Sequence, residues 1–107
     1  LSHDLRFTPE ALDQLQALEE YIAEASSARR ATDYVEAVLD FCGRLRTFPL
    51  RGTVRDDLRT GLRTIGFRRR VTILFDVTDN IVTIIGVYYG GRQVEPPSQN
   101  EDQGGDR

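Results

Sequence analysis

A chain of 107 residues, 39% hydrophobic and 29% charged, can bury one hydrophobic core and not two. No run approaches the roughly 18 apolar residues of a membrane span, no signal-peptide core is present, and Cys42 has no second cysteine to pair with; a cytoplasmic protein is expected. The net charge is −3, which disfavours a general polyanion binder, yet all the basic charge is arginine and none is lysine.

Leu5 and Phe7 alternate with Asp4 and Arg6, the pattern of a short strand. Thr8-Pro9-Glu10 then opens a helix with a hydroxyl cap, a proline in the first turn and an acid beside the helix dipole. Its apolar stripe reads Leu12, Leu15, Leu18, Ile22 and Ala25, with Asp13, Gln16, Glu20 and Glu24 facing away. Ser26-Ser27 breaks this helix and caps the next one. The second helix is expected from Ala28 to Thr47, with the stripe Ala31, Tyr34, Val35, Val38, Cys42 and Leu45, and it stops ahead of Phe48-Pro49. Two helices joined by so short a turn form an antiparallel hairpin. Cys42 lies on the buried stripe and reads as a core residue, not a nucleophile.

Residues 49–61 read as a loop that turns at Arg51-Gly52. Three strands follow, over residues 62–67, 71–77 and 81–89, linked near Arg68-Arg69 and by Asp79-Asn80. Such short links make the strands antiparallel neighbours. The nearly continuous apolar run from Ile81 to Ile85 predicts a central strand covered on both faces. The fold class is therefore α+β in the order β-α-α-β-β-β, with a helical hairpin on one face of a small, mostly antiparallel sheet. Residues 1–94 form the folded domain, and residues 95–107, a polar stretch without apolar side chains, are expected to be disordered.

Charge divides sharply along this layout. Nine arginines lie between Arg44 and Arg70 against only Asp56 and Asp57, roughly +7 within an acidic chain. Guanidinium groups fork onto carboxylates and phosphates, so an anionic partner is expected, either nucleic acid or acidic protein. The nine fall into three groups. Arg44 and Arg46 end a helix, where cations suit the carbonyl dipole. Arg51, Arg55 and Arg59 sit in a loop that offers them Asp56 and Asp57 as partners, a use that also competes with any metal at that acid pair. Arg63 and Arg68 to Arg70, joined by the distant Arg92, are expected to converge on the sheet.

The element order and a set of local patterns resemble the ParE/RelE superfamily of toxins from bacterial toxin–antitoxin operons. The patterns are Phe7-Thr8-Pro9-Glu10-Ala11, Tyr21-Ile22-Ala23, Phe48-Pro49-x-Arg51-Gly52, Asp57-Leu58-Arg59-x-Gly61-Leu62-Arg63, Val71-Thr72-Ile73-Leu74-Phe75 and Val87-Tyr88-Tyr89-Gly90-Gly91-Arg92. The Phe-Pro turn, the Gly-Leu-Arg strand start and the final Gly-Gly-Arg are most similar to the ParE branch. That resemblance implies a toxin that stalls DNA gyrase with its DNA cleaved and performs no covalent chemistry itself. It also implies a ParD-like antitoxin that wraps the toxin in a hetero-oligomer, a heterotetramer in many members. One position departs: many ParE-like chains carry histidine where Tyr89 stands here.

The RelE branch consists of ribosome-dependent mRNA interferases, and that is the alternative function. Cleavage through a ribose hydroxyl needs a base, an acid and cations around the phosphate. The cations are present, but the only histidine is His3 at the N-terminus, lysine is absent, and a tyrosine with an ordinary pKa near 10 is a poor base. No catalytic residue, metal site or cofactor is therefore assigned; there is no His/Cys cluster with ligand spacing, and no helix follows Gly86–Gly91 to make a phosphate loop. A degenerate toxin that keeps only antitoxin binding and operon regulation is a further alternative.

The candidate target contacts are Arg63, Arg68, Arg69, Arg70, Tyr88, Tyr89 and Arg92, with one of the two adjacent tyrosines facing the core and the other the opposite side. The candidate antitoxin contacts are Leu12, Leu15, Tyr34, Val38, Arg44, Arg51, Arg55 and Arg59, on the helical hairpin and the arginine-rich face. No membrane partner and no sequence-specific DNA binding by this chain alone are expected.

Overall fold

The computed structural model describes residues 2–90. They form β1 (Asp4–Phe7), α1 (Pro9–Ala25), α2 (Ala28–Arg44), β2 (Thr53–Val54), β3 (Leu62–Phe67), β4 (Val71–Thr78) and β5 (Ile81–Tyr89). Arg92 and the tail from Glu95 lie outside the described residues.

Both helices start on hydroxyl caps, as their sequences predict. The Thr8 side chain accepts the Ala11 N–H at 3.1 Å, and the Ser27 side chain accepts the Arg30 N–H at 3.1 Å. α2 ends at Arg44, three residues before the expected stop. There Leu45, Arg46 and Thr47 donate to the carbonyls three residues back, so the chain tightens after Gly43 instead of continuing as an α-helix. The buried stripe of α1 runs through Ala11, Leu15 and Leu18, with Ile22 packed against it. Leu12, placed on that stripe by its spacing, is instead 52% exposed.

The five strands make one mixed sheet in the order β1-β5-β4-β3-β2. β1 runs parallel to β5, and all other pairs are antiparallel. β5 thus has a neighbour on each side, as its apolar run predicts. β2 is a departure: it lies in the stretch read as loop, pairing Thr53 with Thr64 and Val54 with Arg63. A positive φ of 79° at Gly52 brings the chain back against β3, and two residues are too few to show an alternating pattern.

The helical hairpin covers one face of the sheet. Leu15, Leu18, Val38, Cys42 and Leu45 pack there against Phe67, Ile73, Phe75, Val82 and Ile84. Cys42 is fully buried and its thiol is pushed up to about 12, as expected of a core cysteine. On the other face Leu62, Leu74 and Ile85 form a smaller cluster, closed by Leu58 and Tyr88. Ile85 reaches that face because it falls between the pairs Leu74↔Gly86 and Phe75↔Ile84, an extra residue in β5 that makes a bulge. Coverage of β5 on the second face is therefore local, since Ile81 and Thr83 remain only half-buried. No helix among the described residues is long and apolar enough to cross a membrane.

Candidate functional site

The β3–β4 connection is built from three arginines. Arg68 and Arg69 occupy the centre of a turn closed by the Arg70 N–H donating to the Phe67 carbonyl at 3.1 Å, and both have positive φ, 52° and 61°. Asn-Gly is the sequence that such a turn favours, because left-handed backbone costs an ordinary L-residue roughly 1–2 kcal/mol. The Arg70 carbonyl in turn accepts the Gly90 N–H at 2.8 Å, so the end of β5 is fastened to the turn.

An aromatic shelf supports these cations on the helix-covered face. The Arg68 guanidinium lies 4.8 Å from the Phe67 ring centroid and 5.8 Å from that of Tyr34. Tyr34 meets Phe67 at 5.9 Å and Tyr89 at 6.3 Å, both edge to face, and Tyr89 continues to Tyr21 at 5.5 Å. Phe41 joins Phe67 at 5.1 Å and carries Arg44 over its own ring at 5.8 Å. Burial, reinforced by the neighbouring Tyr89, raises the Tyr34 pKa, while Arg68 and Arg70 pull it down. The Tyr34 hydroxyl is buried and makes no hydrogen bond among the described residues.

The predicted site residues separate on this frame. Arg68, Arg69, Arg70 and Tyr89 come together. Tyr88 takes the opposite face, as strand alternation requires, and its ring lies against Gly86 beside the Leu62–Leu74–Ile85 cluster. Arg63 does not converge with the turn: it pairs with Val54 and Phe75 toward the far end of β3 and donates to the Arg51 carbonyl at 3.3 Å.

Among the antitoxin candidates, Leu15 and Val38 require correction. They are 5% and 0% exposed, packed between helices and sheet, and offer no docking surface on the folded chain. Leu12 is exposed and Tyr34 belongs to the aromatic shelf. Arg44 and Arg51 are exposed, while Arg55 and Arg59 are half-buried. Arg55 makes a two-point contact with Asp57 at 2.9 and 2.8 Å. Asp56 accepts the Gly61 N–H at 3.0 Å, and Arg59 lies near enough to Asp76 to favour its ionised form.

Two residues escaped the sequence reading. Tyr21, 57% exposed, ends the aromatic shelf; the signal was its position off the buried stripe of α1. Asp76 lies half-buried on the sheet face opposite the helices, where burial raises its carboxyl pKa. Thr72, Leu74 and Asp76 share that face by simple alternation, which is how it could have been found. His3 sits at the other end of the molecule, lining a shallow groove with Phe48, Leu50, Val77 and Asp79. No group of His, Cys, Asp and Glu among the described residues could hold a metal. The turn and shelf therefore offer guanidinium groups and phenols, a chemistry suited to gripping phosphate or carboxylate.

A comparison with solved structures finds this fold in toxin–antitoxin proteins. The chain is similar to the chromosomal ParDE system of P. aeruginosa, with a TM-score of 0.73 at 19% identity over 83% of this chain and 97% of that one. It is also similar to the toxin–antitoxin complex RelBE2 of Mycobacterium tuberculosis, with a TM-score of 0.59 at 23% identity over 83% and 99%. Free E. coli RelE, solved as a double mutant, gives 0.60 at 16% identity over 83% and 84%. A comparison with curated protein sequences finds no match. The model of the ParE toxin of type II toxin–antitoxin systems matches residues 5–94, from β1 through the end of β5 and beyond, and the chain belongs to that family.

Proposed function

We propose that this toxin acts by gripping DNA gyrase and stalling it with its DNA cleaved, and that a ParD-like antitoxin neutralises it by direct binding. The observation that supports the first part is the chemical character of the turn and shelf. Arg68, Arg69 and Arg70 gather beside Tyr34 and Tyr89, while the only histidine of the chain lies at the opposite end of the sheet and lysine is absent. Burial moves the Tyr34 hydroxyl further from the range in which it could act as a base near neutral pH. Such a surface suits a binding poison better than a nuclease, because cations stabilise phosphate but cannot by themselves move the protons of RNA cleavage.

Membership of the family supports the antitoxin, and so does the exposed apolar surface. Leu12 and Leu39 stand on the outside of the helical hairpin, and Phe48 and Leu50 follow α2. A partly disordered acidic partner that folds on binding would cover such residues and complement the arginines. A heterotetramer of two toxins and two antitoxins is the assembly proposed.

Purified gyrase decides the target. Supercoiling should fall and cleaved DNA should accumulate as toxin is added, and prior addition of the antitoxin should prevent both. Full supercoiling activity at a large excess of toxin would overturn the gyrase assignment. Codon-phased cuts in mRNA on translating ribosomes would replace it with the interferase function.

A further inference from the structure

We propose that the Arg68–Arg70 turn and the Tyr21–Tyr89 ring pair form a sequence-independent site for single-stranded nucleic acid, with phosphates on the guanidiniums and an unpaired base on Tyr21. The proposal deepens the gyrase reading by naming DNA itself as what this end of the toxin touches, and it can be tested without gyrase.

Three observations lead there. The first is the turn. Two consecutive arginines hold positive φ where Asn-Gly would sit without strain, so the chain sacrifices stability to keep cations at the tip. The second is availability. The ion pairs among the described residues are Arg29–Asp33 and Arg55–Asp57, and neither uses the turn, whose three arginines are exposed. Arg68 is also pre-oriented, since its guanidinium rests on the rings of Phe67 and Tyr34.

The third observation is the exposed ring. Tyr21 projects from α1 with 57% of its surface exposed, while its other side leans on Tyr89. Through Tyr89 and Tyr34 it is connected by ring contacts to the residue that supports Arg68. Arginines beside a supported, solvent-facing aromatic ring are the equipment of single-strand binding, where phosphates take the cations and bases stack. An acidic protein segment would use the guanidiniums but has no need of the ring. Duplex DNA keeps its bases stacked internally, so it too would leave Tyr21 unused.

The test is anisotropy of the full chain, freed from its antitoxin, with a labelled oligothymidylate, the same-length duplex, and polyglutamate as competitor. The single strand should bind more tightly than the duplex. Three phosphate contacts should give a slope of log K against log salt of about −2. Arg69→Gly/Arg70→Gln should weaken binding about tenfold and flatten the slope by roughly two phosphate contacts. Relief of the positive φ at position 69 should at the same time raise the melting temperature, so lost binding is not lost folding. Tyr21→Ala should abolish the preference for single strand while leaving the salt slope unchanged. Absence of binding, or a double variant that binds as the wild type does, overturns the site. Displacement of oligothymidylate by polyglutamate at matched charge reassigns it to an acidic protein. Gyrase inhibition by a wild-type chain that binds no single strand would sink this inference and leave the gyrase reading standing; single-strand binding without gyrase inhibition would do the reverse.

Discussion

Two arginine-rich regions of this toxin use the same side chain in opposite ways. In the loop between Arg51 and Arg63, guanidiniums turn inward on the chain: Arg55 grips Asp57, Arg63 holds the Arg51 carbonyl, and Arg59 lies near Asp76. At the β3–β4 turn, Arg68 rests on aromatic rings, and Arg69 and Arg70 face solvent. The loop spends its charge on its own architecture, and the turn presents it outward. A run of arginine in sequence therefore says little about recognition until internal partners have been subtracted.

The largest expected effect tests whether the loop is architecture. Gly52 has a φ of 79°, and a Cβ there would overlap the Thr64 carbonyl. That obstacle is backbone and cannot swing away, so Gly52→Ala should cost roughly 2–4 kcal/mol, combining left-handed strain with overpacking. Urea denaturation should show a lower midpoint. An unchanged midpoint would mean that β2 contributes nothing to the fold.

Gly86 provides the milder counterpart. A Cβ at this position would stand 2.5–2.9 Å from the Tyr88 ring atoms, but these belong to the far end of a side chain that can move. Gly86→Ala should cost about 1–2 kcal/mol and loosen the Leu58–Leu62–Leu74–Ile85 cluster that tethers the loop. Faster tryptic cleavage after Arg55 or Arg59 would report that loosening directly. At the turn, the sign reverses: Arg69→Gly should stabilise the chain by about 1 kcal/mol, since it removes a strained backbone position that supports no packing.

Much of this comparison was legible in the sequence. Hydroxyl caps, apolar stripes and the Asp79-Asn80 link identify the helices and the β4–β5 hairpin because each depends on local chemistry. The separation of the loop arginines from the Arg68–Arg70 turn was also readable, as was one loop arginine pairing with a loop aspartate, Arg55 with Asp57; Asp56 instead accepts the Gly61 N–H. Long-range register was not. Whether Arg63 joins Arg68 depends on the length of β3 and on which edge Arg51 approaches, and neither is a property of the residues near Arg63. Leu12 and Ala11 exchanged roles because a stripe at three- and four-residue spacing can be drawn through either, and only the packed sheet selects one. Tyr21 was invisible as a site residue because its partner, Tyr89, lies at the other end of the chain.

The smallest expected effect is also the most discriminating, because two carboxylates should respond to pH with opposite signs. Hydrogen bonds from Arg55 hold the Asp57 carboxyl below its usual range, whereas burial pushes Asp76 up against a partial pull from Arg59. For Asp57 the folded pKa is depressed. Its contribution is present above the unfolded value of about 4 and is lost as pH falls through the folded value. For Asp76 the folded pKa is raised. Its contribution is fully present below about 4 and is lost as pH rises through the folded value. Melting temperatures across this acid range, at fixed ionic strength, should therefore diverge in two ways. Asp57→Asn should lie below the wild type near neutrality and approach it on acidification. Asp76→Asn should gain on the wild type as pH rises above about 4. Both differences should be small, because solvent reaches both carboxyls and screens them. Slopes of the same sign would mean that Asp76 is as solvated as Asp57, and that the sheet face opposite the helices is open to water at its centre.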